Sequence, residues 1–175
     1  IFMLFGQKLK NIQIDSEDII IANTGEGHIP QILQKTIFAL EYIYKNFDFK
    51  HLIRTNLSSF FRSDKILDLS YNLESYDIYT GVSGKGFVSG AGFWLSTNTI
   101  SYLLKYKEKL NFNLIDDSAI SEILYTKFYK KTINIRQDLT DYDIFKMDKN
   151  ILHKYNSYHI RIKSNNRHND AMIMK

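Results

Sequence analysis

Short apolar runs alternate with stretches of helical periodicity along most of this chain, and that alternation constrains the fold more than any single motif. Ile1–Phe5 and Asp18–Asn23 read as strands, closed by Gly6 and by Gly25 and Gly27. Ile32, Leu33, Thr36, Ile37, Leu40, Ile43 and Tyr44 then recur at helical spacing, behind a proline (Pro30) placed where its missing N–H costs nothing. His51–Thr55 is a short strand, and Ser58 or Ser59 is a candidate cap for a helix from Phe60 to about Leu69. Further strands are expected at Tyr76–Thr80, Phe87–Leu95, Thr132–Arg136 and Tyr158–Lys163. Helices are expected after Ser96 or Thr97, after Asp116 or Asp117, and from Arg167; Asp138–Tyr155 has no clear pattern. Strands that alternate with helices predict an α/β class: a layered, mixed but mainly parallel sheet flanked by helices.

Composition bounds the reading. The chain has 175 residues, 44% of them hydrophobic and one of them proline, which suits one core-forming domain over 1–175. No stretch approaches the roughly 20 apolar residues of a membrane span. There is no cysteine, which excludes disulfides and thiolate metal sites and fits a reducing, cytoplasmic setting. The formal charge of +4 favours anionic partners, but the basic residues are scattered, which argues against a nucleic-acid surface.

Two segments carry the strongest chemical signal. In Phe87-Val88-Ser89-Gly90-Ala91-Gly92-Phe93-Trp94-Leu95-Ser96, small residues interrupt an apolar strand, as they do where backbone must pass close to another group. In Leu114-Ile115-Asp116-Asp117-Ser118, paired carboxylates open a helix. A carboxylate there is a candidate to take a proton from an attacking hydroxyl; an aspartate before a helix is also a common N-cap, and the two roles coexist.

Taken in order, Leu33–Ile37, Arg54–Phe60, Ser89–Ser96 and Asp116-Asp117 resemble the β-1,3-galactosyltransferase and Fringe-type glycosyltransferases of the GT-A fold, including distant bacterial and viral relatives. That family runs Leu-Thr-Leu-Lys-Thr, an acidic triad, Gly-Gly-Gly-Tyr and Glu-Asp or Asp-Asp in the same order. The resemblance implies an inverting, hexosyltransferase-like enzyme of glycan biosynthesis. It would move a sugar from a nucleotide-sugar donor to a glycan or other hydroxyl acceptor. Asp117 would be the general base, with Asp116 its neighbour. Lys35, Asn56, Ser58, Arg161 and Lys163 would meet the donor, and Gly90, Ala91, Gly92, Phe93 and Trp94 would line the acceptor pocket. His159 would sit near the place of the family's late metal-binding histidine, with Mn²⁺ or Mg²⁺ as the possible cation. The resemblance also implies an earlier strand and helix before Ile1.

One departure stands out. Asn56, Leu57 and Ser58 occupy the place of the acidic triad, and neutral oxygens hold a divalent cation poorly beside carboxylates. A non-catalytic carbohydrate- or nucleotide-binding domain is therefore the alternative. On a strand, His159, Arg161 and Lys163 share one face, which suits a diphosphate leaving group, or equally a solvated edge. Neither Gly25-Glu26-Gly27 nor Gly84-Lys85-Gly86 has the Gly-Lys-Ser/Thr ending of a phosphate loop.

Overall fold

A computed structural model describes residues 3–6, 13–16, 19–22, 27–56, 58–73, 77–130, 136–139 and 157–162. The central layer is a three-stranded sheet of β4 (His51–Thr55), β7 (Val88–Ser96) and β6 (Tyr79–Ser83), with β7 in the middle. A second sheet joins β5 (Ser59–Phe61), β9 (His159–Ile162) and β8 (Arg136–Leu139), in that order. A third joins β1 (Met3–Gly6), β3 (Ile19–Ala22) and β2 (Gln13–Ser16). The helices are α1 (Gln31–Asn46), α2 (Ser63–Leu73), α3 (Thr97–Lys105) and α4 (Asp116–Phe128), with a short 3-10 turn over Lys107–Lys109.

The mainly parallel sheet expected from the alternation is not what forms. β7 is antiparallel to both β4 and β6, β5 is antiparallel to β9, and β2 to β3; among the described strands the parallel pairs are β1–β3 and β8–β9. The physical reason is connection length. β6 and β7 are joined by a turn over residues 84–87, and a parallel crossover needs a dozen or more residues. The GT-A-type parallel layer predicted from the sequence is thereby replaced by small, mostly antiparallel sheets.

The central sheet separates two cores, and β7 shows how. Its side chains alternate, so Phe93 and Leu95 face one way and Trp94 the other. Phe93 and Leu95 join Leu33, Ile37 and Leu40 of α1, Ile100 and Leu103 of α3, and Ile120 and Leu124 of α4. Trp94 packs with Ile78, Tyr158, Phe61 and the inner side of α2, through Ile66, Leu69 and Leu73. The Trp94–Tyr158 rings meet edge to face at 5.8 Å.

Several local expectations hold. Pro30 precedes α1 at the N-cap position. Ser96 caps α3, its side chain accepting from the Thr99 amide. Others change. Ser59–Phe61 is a strand, because its backbone pairs with β9, and the following helix starts at Ser63. Gly81 lies within β6, where a Cβ would come within 2.6 Å of the Gly92 carbonyl oxygen. β9 has neighbours on both sides, and His159, Ile160 and Ile162 are all buried, so it is not a solvated edge. The 132–135 part of one expected strand, residues 138–155 apart from β8, and the expected helix from Arg167 fall outside the described residues.

Gly92 is where the two sheets touch. A Cβ there would lie 2.7 Å from Phe61 Cζ and 2.9 Å from His159 Cε1. Gly92→Ala is expected to lower stability by about 1–3 kcal/mol through overpacking, read as a lower urea midpoint; an unchanged midpoint would mean that the sheets separate freely there.

His51 Nδ1 lies 3.0 Å from Ser70 Oγ, tying β4 to α2. Burial, aided by the Lys50 charge, holds the His51 pKa below its ordinary 6.5. The unfolded chain therefore binds the proton more readily. The stability contributed by neutral His51 is present above that value and is lost as pH falls through and below it. Acidification to about pH 5 should lower the urea midpoint more in the wild type than in His51→Gln; equal pH slopes would contradict this.

Candidate functional site

The site grows from an irregularity in β7. Gly81 pairs with Phe93 and Ser83 with Val88, so one residue of β6 faces four of β7, residues 89–92. A bulge of this kind takes backbone groups out of the ladder, and they must find other partners. Here side chains supply them. Asp117 Oδ2 accepts from the Gly90 amide at 2.9 Å. Arg54 Nη1 donates to the Gly90 carbonyl. The Ala91 carbonyl accepts from Ser59 Oγ at 2.8 Å and Thr55 Oγ1 at 3.3 Å.

Asp116 is at the centre. It is 1% exposed. Its Oδ2 accepts from Arg54 Nη2 at 2.5 Å and from Thr36 Oγ1 at 3.0 Å. One carboxylate thus joins β4, α1 and α4, and its Arg54 partner also stands 5.7 Å from the Phe93 ring centroid and reaches the β7 bulge. A charge this deep requires such pairing. Both aspartates lie in the first turn of α4, where exposed amides favour negative charge. Ile115, not an aspartate, holds the N-cap position. Asp117 caps from inside the turn, its Oδ1 accepting from the Ser118 amide at 2.8 Å. Unlike Asp116, it is only partly buried.

The loop after β4 is organised around Asn56. Its Oδ1 accepts from the Ser58 amide at 3.1 Å and Ser58 Oγ at 2.9 Å, and lies 3.0 Å from Ser59 Oγ, whose one proton it shares with the Ala91 carbonyl. Ser59 Oγ is also 2.9 Å from His159 Nε2. A hydroxyl has one proton. With carbonyl acceptors at Ala91 and Asn56 to receive it, the His159 Nε2 proton is assigned as donated to Ser59. The imidazole stacks on Phe61 at 4.4 Å.

This donor set does not suit a divalent cation. The oxygen that Asn56 would contribute already accepts from the Ser58 amide and hydroxyl, the one Ser59 proton goes to either the Ala91 or the Asn56 oxygen, and His159 Nε2 is assigned as the donor to Ser59. Among the described residues, no group of three or more His, Asp or Glu gathers where a metal ion could be held. Asn56 keeps its amide nitrogen, a donor, to offer an anion.

Gly90, Ala91, Gly92, Asn56, Ser58, Asp116, Asp117 and His159 are therefore brought together, although they come from distant parts of the chain. The space at the glycines is taken by the protein's own groups. A Gly90 Cβ would stand 3.1 Å from Arg54 Nη1 and 3.3 Å from Asp117 Oδ2. Phe93 and Trp94 are buried in the two cores. Arg161 pairs in register with Ser59. Lys35 is half-buried beside Thr36. Lys163 lies outside the described residues.

The sequence offered no site role for Arg54 or Thr36, and gave Ser59 only that of a helix cap. The signals were an arginine inside the short strand His51–Thr55 and a threonine on the apolar stripe of α1. Tyr79 supports the site from beneath: its hydroxyl lies 2.8 Å from Ser121 Oγ, which accepts from the Val88 amide. Burial raises the Tyr79 pKa well above its ordinary value, and the Asp117 and Asp116 charges push it the same way, so the phenol stays neutral.

No helix among the described residues is long and apolar enough to cross a membrane. No protein-family model matches the chain, and no curated protein matches it.

Removing one member of a buried pair leaves the other charge stranded. Asp116→Ala should therefore destabilise the fold by about 3–5 kcal/mol. The Arg54→Met, Asp116→Leu double variant should recover a large part of that loss in a denaturant titration. A double variant as unstable as the single would show that the pair contributes more than mutual neutralisation.

Proposed function

We propose that this chain transfers a sugar from a nucleotide-sugar donor to a hydroxyl acceptor, with Asp117 as general base. The observation that carries the reading is convergence. Residues 54–56, 58–59, 90–92 and 116–117, from segments that resemble glycosyltransferase motifs in order, meet around one bulge, with His159 beside them.

The two carboxylates have different work. Asp116 is consumed by Arg54 and Thr36 and acts as a positioning residue. Asp117 is clamped by two backbone amides, and its Oδ1 also accepts from the Ser118 hydroxyl at 3.4 Å, which leaves a second lone pair on Oδ2. It takes the acceptor hydroxyl proton as that oxygen bonds to the anomeric carbon. The bond from this carbon to the donor phosphate breaks, and its electron pair leaves with the nucleoside diphosphate. Attack opposite the leaving group inverts the anomeric centre. Asn56 Nδ2, Lys35 and Arg161 are the donors we assign to the diphosphate, and no step depends on a metal. A cysteine-free chain fits a reducing compartment, and the cytoplasm is the proposed location.

A second reading, a carbohydrate- or nucleotide-binding domain without turnover, draws on one observation: both Asp117 oxygens already accept hydrogen bonds. Release of nucleoside diphosphate from a panel of nucleotide sugars, with mixed hydroxyl acceptors and with or without Mn²⁺, separates the two. Wild type should turn over one donor. Asp117→Asn should bind that donor equally well and lose on the order of 10²–10⁴-fold in rate. Near-normal turnover by the variant would remove Asp117 from the mechanism; donor binding without turnover by the wild type would favour the second reading.

A further inference from the structure

Away from the site, the end of α3 and the turns that follow it carry a cationic ridge with an aromatic base. Tyr102 and Tyr106 lie with ring centroids 4.6 Å apart, and Phe128 meets Tyr102 edge to face at 5.1 Å. Three lysines stand on these rings. Lys127 Nζ is 4.0 Å from the Tyr102 centroid, Lys109 Nζ is 5.0 Å from that of Tyr106, and Lys105 Nζ is 5.7 Å from the same ring. All three lysines are exposed, and among the described residues none is in a salt bridge, whereas Lys107 is paired with Glu41. The rings hold the ammonium groups at the surface without neutralising them.

The chain continues from Lys109 into exposed apolar residues. Phe112 is 40% exposed and Ile115 is 36% exposed, on the turns that lead into α4. Lys105, Lys109, Phe112 and Ile115 fall in one stretch, residues 105–115, which also holds the exposed Glu108, and Lys127 joins the lysines from the last turn of α4.

We propose that this ridge is a docking surface for an anionic lipid bilayer. Lysine heads meet the headgroup phosphates, Phe112 and Ile115 enter the acyl boundary, and the tyrosines sit at headgroup depth. Nucleic acid would also meet the charge, and Phe112 offers one ring to a base, but Ile115 offers none and suits an acyl boundary. The surface is independent of the sugar-transfer reading, because binding is measured without donor or acceptor. Ile115 is next to Asp116 and Asp117, so a docked bilayer would lie near the candidate site.

The test is sedimentation of the full chain with vesicles of phosphatidylcholine, alone or mixed with phosphatidylglycerol. Binding should require phosphatidylglycerol and fall steeply with salt. Changing Lys105, Lys109 and Lys127 together to Gln should weaken it on the order of a hundredfold, about fivefold per lysine. The same positions as Arg should retain it. Phe112→Ser should weaken binding further at raised salt, where the charge contribution is screened. Matching circular dichroism spectra establish that these surface variants are folded. Equal recovery on both vesicle types, no recovery on either, or full binding by the triple Gln variant would overturn the proposal. Lysine-dependent binding to random oligonucleotides without vesicle binding would overturn it in favour of nucleic acid.

Discussion

The Arg54–Asp116 ion pair is the contact on which the arrangement of the site depends. Arg54 extends from the central sheet, Asp116 opens α4, and Thr36 of α1 bonds to the same carboxylate oxygen. The other arm of the guanidinium satisfies a carbonyl that the β7 bulge has released. Buried ion pairs are poor sources of net stability, because desolvation offsets most of their attraction. Their cost when broken makes them strong positional constraints. Here the constrained object is the neighbouring residue, Asp117, whose carboxylate is set against the Gly90 amide.

The bulge and the pair explain one another. Regular pairing of β6 through residues 89–92 would straighten β7 there, and the bonds from Asp117, Arg54, Ser59 and Thr55 to Gly90 and Ala91 would not all survive. Without these side chains, the released amide and carbonyls would be buried and unsatisfied, at a cost of about 1–3 kcal/mol each. Glycine at position 90 follows, since a side chain would enter the space between Arg54 and the two aspartates. Glycine at position 92 follows from the close approach of the second sheet. The small residues of β7 are thus required by the protein's own packing, before any substrate is considered.

Much of the local structure was legible in the sequence. The apolar stripe of α1, the strand His51–Thr55, the Ser96 cap and the long β7 strand all follow from short-range patterns. What was not legible depends on distant partners. Ser59–Phe61 is a strand because it pairs with His159–Arg161, about a hundred residues away, and no local signal reports that. Strand direction failed for a related reason: alternation of elements does not say which strands share a sheet, and the turn over 84–87 reverses the chain. His159 looked like one of several cations on an open face; burial against Phe61 and Gly92 makes it a structural neighbour of Ser59. Asp116 and Asp117 were singled out together, but their different burial, which divides their roles, comes from Arg54 and Thr36.

We propose that this clamped aspartate deprotonates an acceptor that displaces a nucleoside diphosphate in line. The most direct measurement is proton NMR of the first-formed product from the donor that the wild-type chain consumes. The product should have an anomeric configuration opposite to that of the donor. A product that keeps the donor configuration would contradict the proposal, as would a chain that forms no product from any nucleotide sugar.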